Sequence, residues 1–190
     1  MTNRKIVAGA AGLALVASGG VAAVGASGSS DSAETAATNL AVVKQKHTFE
    51  MRRNRFIKDG LRFDKDVYAV NSGGTLRVVN NKASEGPHTV SIVKKSDRPD
   101  NIQEVFNCEV CNAMFEAHGA TDDDKPPRFP FVEDGKGQKD PSNFDKPGDS
   151  GVTGPQKGDS FEVPVTAPAG STRWFICAVH PWMQAKLRVE

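Results

Sequence analysis

A short segment near the C-terminus combines three side-chain types that bind metals. Residues 177–183 read Cys-Ala-Val-His-Pro-Trp-Met, so a thiol, an imidazole and a thioether follow the pattern Cys-x2-His-x2-Met. Two imidazoles, one thiolate and a weak axial thioether are the ligand set of a type 1 copper site, because the sulfur ligands hold Cu(I) and imidazole binds either oxidation state. A second imidazole lies upstream in Gly-Pro-His-Thr-Val. The sequence therefore predicts one copper ion bound by His88, Cys177, His180 and Met183.

Each of these residues alone has a more ordinary explanation. A single Met usually fills a core, a single His is usually structural, and a Cys in an exported protein is usually half of a disulfide. Their occurrence together, in one loop between two strand-like segments, favours the metal site.

Short period-two patterns surround both candidate ligand segments and predict strands. Val90 and Ile92 alternate with polar residues directly after His88. The same alternation occurs in Phe161–Val165 and in Ala185–Val189. Strands with one buried face, separated by turn signals, indicate a β-sandwich.

Residues 94–159 differ in character from the strand-rich segments on either side. Their first half predicts a helix that is capped by Asp100 or Asn101 and ends at Gly119. Its apolar residues would cover the sandwich: Ile102, Val105, Phe106, Val110, Ala113 and Ala117. The second half, residues 121–159, is rich in Asp, Lys, Pro and Gly and predicts a loop, with Asp122–Asp124 as a solvated acidic turn.

Cys108 and Cys111 form a second cysteine group, for which three interpretations stay open. They are a disulfide, a second metal site completed by His118 with or without Met114, or free thiols. Haem attachment is excluded, because Asn112 stands where that motif requires His. Our hypothesis is an oxidised staple on the outward side of the helix, with the segment around it serving as a docking surface and not as a copper ligand.

The N-terminus resembles an export signal. Arg4 and Lys5 precede an uncharged run, and Val24-Gly25-Ala26 offers the small residues of a cleavage site. We therefore expect a signal peptide at 1–26, or an uncleaved membrane anchor, followed by a flexible tether at 27–46 and a domain at 47–190. This predicts an extracytoplasmic protein, periplasmic, cell-surface or secreted, that meets a membrane only through such an anchor. The formal net charge of +1 gives no reason to expect a nucleic-acid partner.

With these motifs the chain resembles the cupredoxins, the small blue copper proteins. The short loop from Cys177 to Met183 is most similar to that of the amicyanins and next to that of the plastocyanins, and both carry Pro-His where this chain has Pro87 and His88. The resemblance covers about 47–93 and 160–190 and implies an all-β, Greek-key sandwich into which 94–159 are inserted. It also implies that Asn80 or Asn81, of which we favour Asn80, ties the two ligand loops together, and that His180 is the exit for electrons toward docked partner proteins.

These observations predict a carrier of single electrons that cycles between Cu(II) and Cu(I) and is not an enzyme. Multicopper oxidases and nitrite reductases need more histidines than the four present here. The alternative is a copper-storage or copper-delivery protein that passes copper through the Cys108 segment. A third possibility is a redox module of a larger respiratory complex that docks through 94–159.

Overall fold

The computed structural model describes residues 36–81, 86–120, 126–141 and 143–190. The predicted signal peptide at 1–26 and the acidic run Asp122–Asp124 lie outside these residues. The strands are β1 (Thr38–Val43), β2 (Gln45–Lys46), β3 (Phe49–Arg52), β4 (Phe56–Asp59), β5 (Arg62–Phe63), β6 (Val67–Val79), β7 (Thr89–Val93), β8 (Phe131–Glu133), β9 (Lys136–Gln138), β10 (Ser150–Val152), β11 (Ser160–Pro164), β12 (Thr172–Ile176) and β13 (Gln184–Val189). The helices are α1 (Ile102–Phe106) and α2 (Glu109–Ala117), preceded by a 3₁₀ turn at Lys95–Asp97.

One curled sheet of nine strands forms the body of the described chain. Its order is β1-β6-β13-β12-β7-β10-β8-β9, and β11 also pairs with β6. The long strand β6 makes the curl possible, because Val67–Val70 pair with β13 and Thr75–Val79 pair with β11. Apolar residues from both parts meet in one buried cluster, which includes Val70, Leu76, Val90, Val163, Phe175 and Leu187. The predicted all-β sandwich with an inserted segment is confirmed.

The first strands correct the later part of the predicted tether at 27–46, of which residues 27–35 lie outside the described part of the chain. Strand β1 runs parallel to β6, with Ala41 opposite Leu76 and Val43 opposite Val78. Ala41 and Val43 are buried in the core. Only these two side chains of β1 point inward as apolar residues, so the period-two signal was too short to recognise in the sequence.

The second half of the inserted block is also part of the sheet, and its prediction as a loop was wrong. Strands β8, β9 and β10 occur there, and β10 pairs with β7 so that Gly151 lies opposite Val90. A side chain at Gly151 would collide with the ring of Phe161. Strands of three residues carry almost no periodicity, and the Gly and Pro around them are read as loop signals. The block is therefore an integral part of the sandwich, and its predicted role in docking stays a prediction.

The helical half of the block starts where the sequence predicts. The Asn101 side chain accepts a hydrogen bond from the Glu104 N–H at 3.0 Å, and the Glu104 carboxylate accepts one from the Asp100 N–H at 2.9 Å. The segment is nevertheless two helices, because Cys108 takes the N-cap position of α2 and its Sγ accepts a hydrogen bond from the Cys111 N–H. No helix in the described part of the chain is long and apolar enough to cross a membrane.

The buried face of these helices is the opposite of the predicted one. Cys108, Cys111 and Met114 pack against Val93, Ile176 and Ala178 of the sandwich. Phe106, expected to face the core, is 80% exposed and Ile102 is 56% exposed. The prediction failed because one helical wheel was applied to two helices with different axes, and because the apolar surface of a disulfide was not counted as core.

Candidate metal centre

Strand pairing brings the two candidate ligand segments to the same end of the sheet. Strands β7 and β12 are antiparallel neighbours, with Phe175 opposite Ile92 and Ile176 opposite Ser91. His88 directly precedes β7, and Cys177 directly follows β12. The register therefore places His88 and Cys177 next to each other although they are 89 positions apart in the sequence.

The loop between β12 and β13 folds into two consecutive tight turns. The Cys177 carbonyl accepts a hydrogen bond from the His180 N–H at 3.1 Å, and the His180 carbonyl accepts one from the Met183 N–H at 2.8 Å. The Cys177 N–H donates to the Met183 carbonyl at 2.9 Å and closes the loop. These bonds return the His180 ring toward the Cys177 thiol and fix the loop without any ligand.

Three of the four predicted ligands form a cluster. The Cys177 Sγ lies 3.8 Å from His88 Nδ1 and 3.6 Å from His180 Nδ1. The candidate ligand atoms of the three residues all lie within 4.8 Å of one another, an arrangement that could hold a metal ion. His88 and Cys177 are fully buried, and His180 is half-buried.

Met183 is fully buried and belongs to the same apolar cluster as Cys177. Its backbone lies against Cys177 through the hydrogen bond that closes the loop. Its role as the axial ligand stays a prediction.

The cluster is electrically neutral without a metal. Burial, with a smaller contribution from the neighbouring His180, lowers the pKa of His88 to about 4. Burial also lowers the pKa of His180 and raises the pKa of the Cys177 thiol. At neutral pH the imidazoles thus keep their lone pairs, and the thiol releases one proton when a cation binds. Two imidazole nitrogens and one thiolate sulfur fit one copper ion, so the donor set agrees with the cofactor predicted from the sequence.

Thr89 joins the two ligand segments. The Thr89 N–H donates to the Cys177 Sγ at 3.4 Å, and its Oγ1 accepts from the Ala178 N–H at 2.7 Å. Asn80 donates from Nδ2 to the Gly86 carbonyl at 2.8 Å and to the Gly154 carbonyl at 3.1 Å, and its predicted tie between the two ligand loops stays a prediction. Asn80 therefore holds the turn before His88. The sequence signal for Thr89 was its position directly after a candidate ligand, on a strand beside the Cys177 loop.

A buried chain of hydrogen bonds leads from Thr89 into the inserted block. The hydroxyls of Thr89 and Ser91 are 3.1 Å apart, and those of Ser91 and Ser150 are 2.7 Å apart. Ser150 Oγ lies 2.9 Å from His118 Nε2, and His118 Nδ1 lies 2.7 Å from the Phe129 carbonyl. A carbonyl only accepts, so Nδ1 carries the proton and Nε2 accepts from Ser150. Burial lowers the pKa of His118, which agrees with this neutral form.

These hydrogen bonds exclude the second metal site that was considered for Cys108, Cys111 and His118. Both nitrogens of His118 are engaged in hydrogen bonds, and Cys108 and Cys111 are joined in a disulfide. Of the three interpretations of the cysteine pair, the disulfide is the one that the structure contains. It packs against Ile176 and Ala178, the two neighbours of Cys177, so it supports the ligand loop from behind.

Removing the Thr89 hydroxyl should destabilise the metal-free protein. Thr89→Val keeps the shape of the side chain but leaves the buried Ala178 N–H without its acceptor, which costs about 1–3 kcal/mol. Denaturant unfolding should show this loss in the free energy of unfolding. Thr172→Val, at an exposed position of β12, is the matched control and should change it by less than about 0.5 kcal/mol. Equal values for the two variants would show that the Thr89 bond does not stabilise the loop.

None of the protein-family models or curated proteins compared with this chain matches it. Among solved structures it is similar to dithionite-reduced auracyanin from Roseiflexus castenholzii, with 21% identity over 82% of this chain and 99% of that one, at a TM-score of 0.40. Auracyanin A from Chloroflexus aurantiacus, described as a "blue" copper protein, has 25% identity over 68% of this chain and 89% of that one, at a TM-score of 0.39. Amicyanin from Paracoccus versutus has 13% identity over 82% of this chain and 85% of that one, at a TM-score of 0.36.

These structures are cupredoxins, the family that the sequence motifs resemble. The chemistry of the site resides in the side chains that meet at the end of β7 and β12.

Proposed function

We propose that this chain is a single-copper electron carrier that works outside the cytoplasm. The observation that carries the proposal is the meeting of His88, Cys177 and His180, with ligand atoms within 4.8 Å of one another at the end of a β-sandwich. Copper bound there with Met183 as its axial ligand would gain and lose single electrons by cycling between Cu(II) and Cu(I).

The surrounding protein suits rapid electron transfer, because it fixes the ligands before any metal binds. The Cys177 loop is closed by its own backbone, and Thr89 ties it to the His88 strand. Ligands held in this way move little when the charge of the metal changes. A buried and preorganised donor set is what a carrier needs, and an enzyme would in addition need a substrate site beside the metal.

The route for electrons is through His180. Its ring is half-buried and lies edge-on to Trp182, with the ring centroids 5.4 Å apart. Trp182 is 43% exposed, so an exposed aromatic side chain flanks the ligand that approaches solvent. We infer that redox partner proteins dock over this surface.

The cellular location follows from the cysteine chemistry and the N-terminal sequence. The Cys108–Cys111 disulfide suits an oxidising compartment. The basic start and uncharged run of 1–26 suit export, and contact with a membrane would be limited to an uncleaved anchor.

The experiment that tests the proposal combines metal analysis with visible and electron paramagnetic resonance spectra of the copper-loaded protein. We expect one copper per chain, an intense sulfur-to-copper absorption band and the small copper hyperfine splitting of a type 1 site. Weak, colourless copper binding would contradict the proposal. Competition with a Cu(I) chelator separates a carrier, which retains its copper, from a delivery protein. The delivery alternative is weakened here, because Cys108 and Cys111 are oxidised and have no thiolate to offer.

Changing Met183 should move the reduction potential in both directions. Met183→Gln supplies a harder oxygen donor that favours Cu(II) and should lower the potential. Met183→Leu removes the donor and should raise it. Redox titration of the wild type and the two variants measures the three reduction potentials, which should rise from Met183→Gln through the wild type to Met183→Leu. If neither substitution moves the potential, Met183 is not a ligand and acts only as core.

A further inference from the structure

The hairpin formed by β3 and β4 projects from the body of the protein. The two strands pair with each other and with no other strand among the described residues. Every residue from 48 to 59 is exposed. An isolated two-stranded hairpin is at best marginally stable in water. Its exposed apolar side chains therefore contribute nothing to the core of this chain.

One face of the hairpin carries three apolar side chains, with Asp59 at the base end of the same face. Met51 lies opposite Ile57, and Phe49 lies two residues away on the same face. These side chains are 61%, 68% and 60% exposed, and Phe56 on the other face is 45% exposed. Large apolar residues grouped in this way on a surface typically mark a contact with another molecule.

The tip of the hairpin is strongly cationic. Arg52, Arg53, Arg55 and Lys58 surround the turn. The segment 46–62 contains six Lys or Arg residues and two Asp or Glu residues, in a chain whose formal net charge is only +1. Arginine and aromatic side chains are enriched at the energetic centres of protein interfaces. The charge of the tip complements an acidic surface.

The base of the hairpin is rigidly attached. Leu61 and Phe63, which follow β4, are buried in the core, and the ring of Phe63 packs edge-on against Phe175 of β12. The Gly60 N–H donates to the Thr48 carbonyl at 2.7 Å and closes the base. The hairpin therefore has a fixed origin on the sandwich.

This base lies at the metal end of the sandwich. The backbone of Gln45, just before the hairpin, is bound to the side chain of Asn81 by two hydrogen bonds of 3.0 and 2.9 Å. Asn81 follows Asn80, which holds the turn before His88. His47 Nε2 lies 3.0 Å from Asp59 Oδ1 across the base of the hairpin.

We propose, building on the function proposed above, that the hairpin of residues 48–59 is an arm that docks an acidic redox protein beside His180. The cationic tip draws the partner toward the copper end, and the face formed by Phe49, Met51 and Ile57 packs against it there. An anionic membrane would also attract such a hairpin. A lipid surface exchanges no electrons, however, and the arm starts from the metal end of the sandwich.

Stopped-flow electron exchange between the copper-loaded protein and a purified acidic c-type cytochrome tests the arm. Arg53→Glu/Arg55→Glu should lower the second-order rate constant about tenfold at low ionic strength, because steering by complementary charge is lost. The loss should shrink at high salt. With a basic cytochrome the same variant should not be slower than the wild type. Met51→Ser/Ile57→Ser should slow the acidic cytochrome at high salt as well.

The matched control is Lys136→Glu/Lys139→Glu, at two exposed positions on and after β9. It changes the net charge by the same amount away from the hairpin, so it should retain most of the wild-type rate. Equal rates for the two charge reversals would overturn the proposal. It would also be overturned by hairpin-dependent binding to phosphatidylglycerol vesicles without a change in cytochrome rate, or by hairpin-dependent dimers in light scattering.

The copper spectrum keeps this test separate from the proposed function. An unchanged absorption band in all variants shows that the metal centre is intact, so any change in rate belongs to docking. If the wild type formed no such band, the proposed function would fail, and calorimetric binding of the acidic cytochrome to the metal-free variants would still test the arm.

Discussion

Replacing Cys177 with serine should abolish the intense visible absorption of the copper-loaded protein. The absorption of a type 1 site comes from charge transfer between a thiolate sulfur and Cu(II), and a hydroxyl offers no such transition. Cys177 is fully buried 3.6 and 3.8 Å from the two candidate imidazoles, and the other two cysteines are joined in a disulfide, so no other thiolate can take its place. Copper affinity should also fall by orders of magnitude, because a hard hydroxyl replaces the soft ligand.

The matched control for this variant is the double change Cys108→Ala/Cys111→Ala. It removes the other two cysteines of the chain and should keep the absorption and the count of one copper. Its stability should fall, because the disulfide packs against Ile176 and Ala178. Colour that survived Cys177→Ser would remove Cys177 from the ligand set. A second copper lost with Cys108 would revive the delivery alternative.

The candidate ligands could be predicted from the sequence because most of them are local. Cys177, His180 and Met183 share one loop, and the spacing of that loop is itself the signal. His88 is far away in the chain, and its approach to Cys177 depends on the pairing of β7 with β12, which no local pattern reveals. The resemblance to a known family supplied that long-range pairing.

What could not be predicted depends on contacts between distant segments. Thr89, Ser91, Ser150 and His118 are ordinary polar residues in the sequence, and only the packing of β7, β10 and α2 joins them in one buried chain. The helix face was inverted for a related reason. The cysteines were regarded as a staple on the surface, whereas the disulfide is itself part of the apolar contact with the sandwich.

Lowering the pH from 6.5 to 4 should strongly destabilise the metal-free protein. Burial depresses the folded-state pKa of His88 to about 4, and it also lowers the pKa values of His118 and His180. Above the ordinary histidine pKa, neither the folded nor the unfolded chain is protonated at these rings, so they add no pH dependence. Between that value and the depressed one, the unfolded chain takes up protons that the folded chain refuses, and stability falls as the pH falls. Below both values the loss is complete and levels off.

The expected size is large for a single domain. A depression from 6.5 to about 4 at His88 alone corresponds to a loss of order 3 kcal/mol, and the other two rings add to it. Burial raises the pKa of Asp149, which works in the opposite direction in acid and reduces the net effect. Denaturant unfolding across this pH range measures the total change in the free energy of unfolding. Proton NMR titration of the four histidines then shows how much each ring contributes.

Two variants separate the contributions to this acid loss. His88→Gln removes the group with the largest cited depression and should remove a corresponding part of the pH dependence. His118→Gln removes a ring outside the copper ligand set and should remove a smaller but measurable part. Copper should protect the wild type at neutral pH, and the protection should fade in acid as protons compete for the ligands. A stability that stays constant between pH 6.5 and 4 would mean that the three rings bind protons equally well in the folded and unfolded chain, and the neutral, preformed metal centre described above would then be wrong.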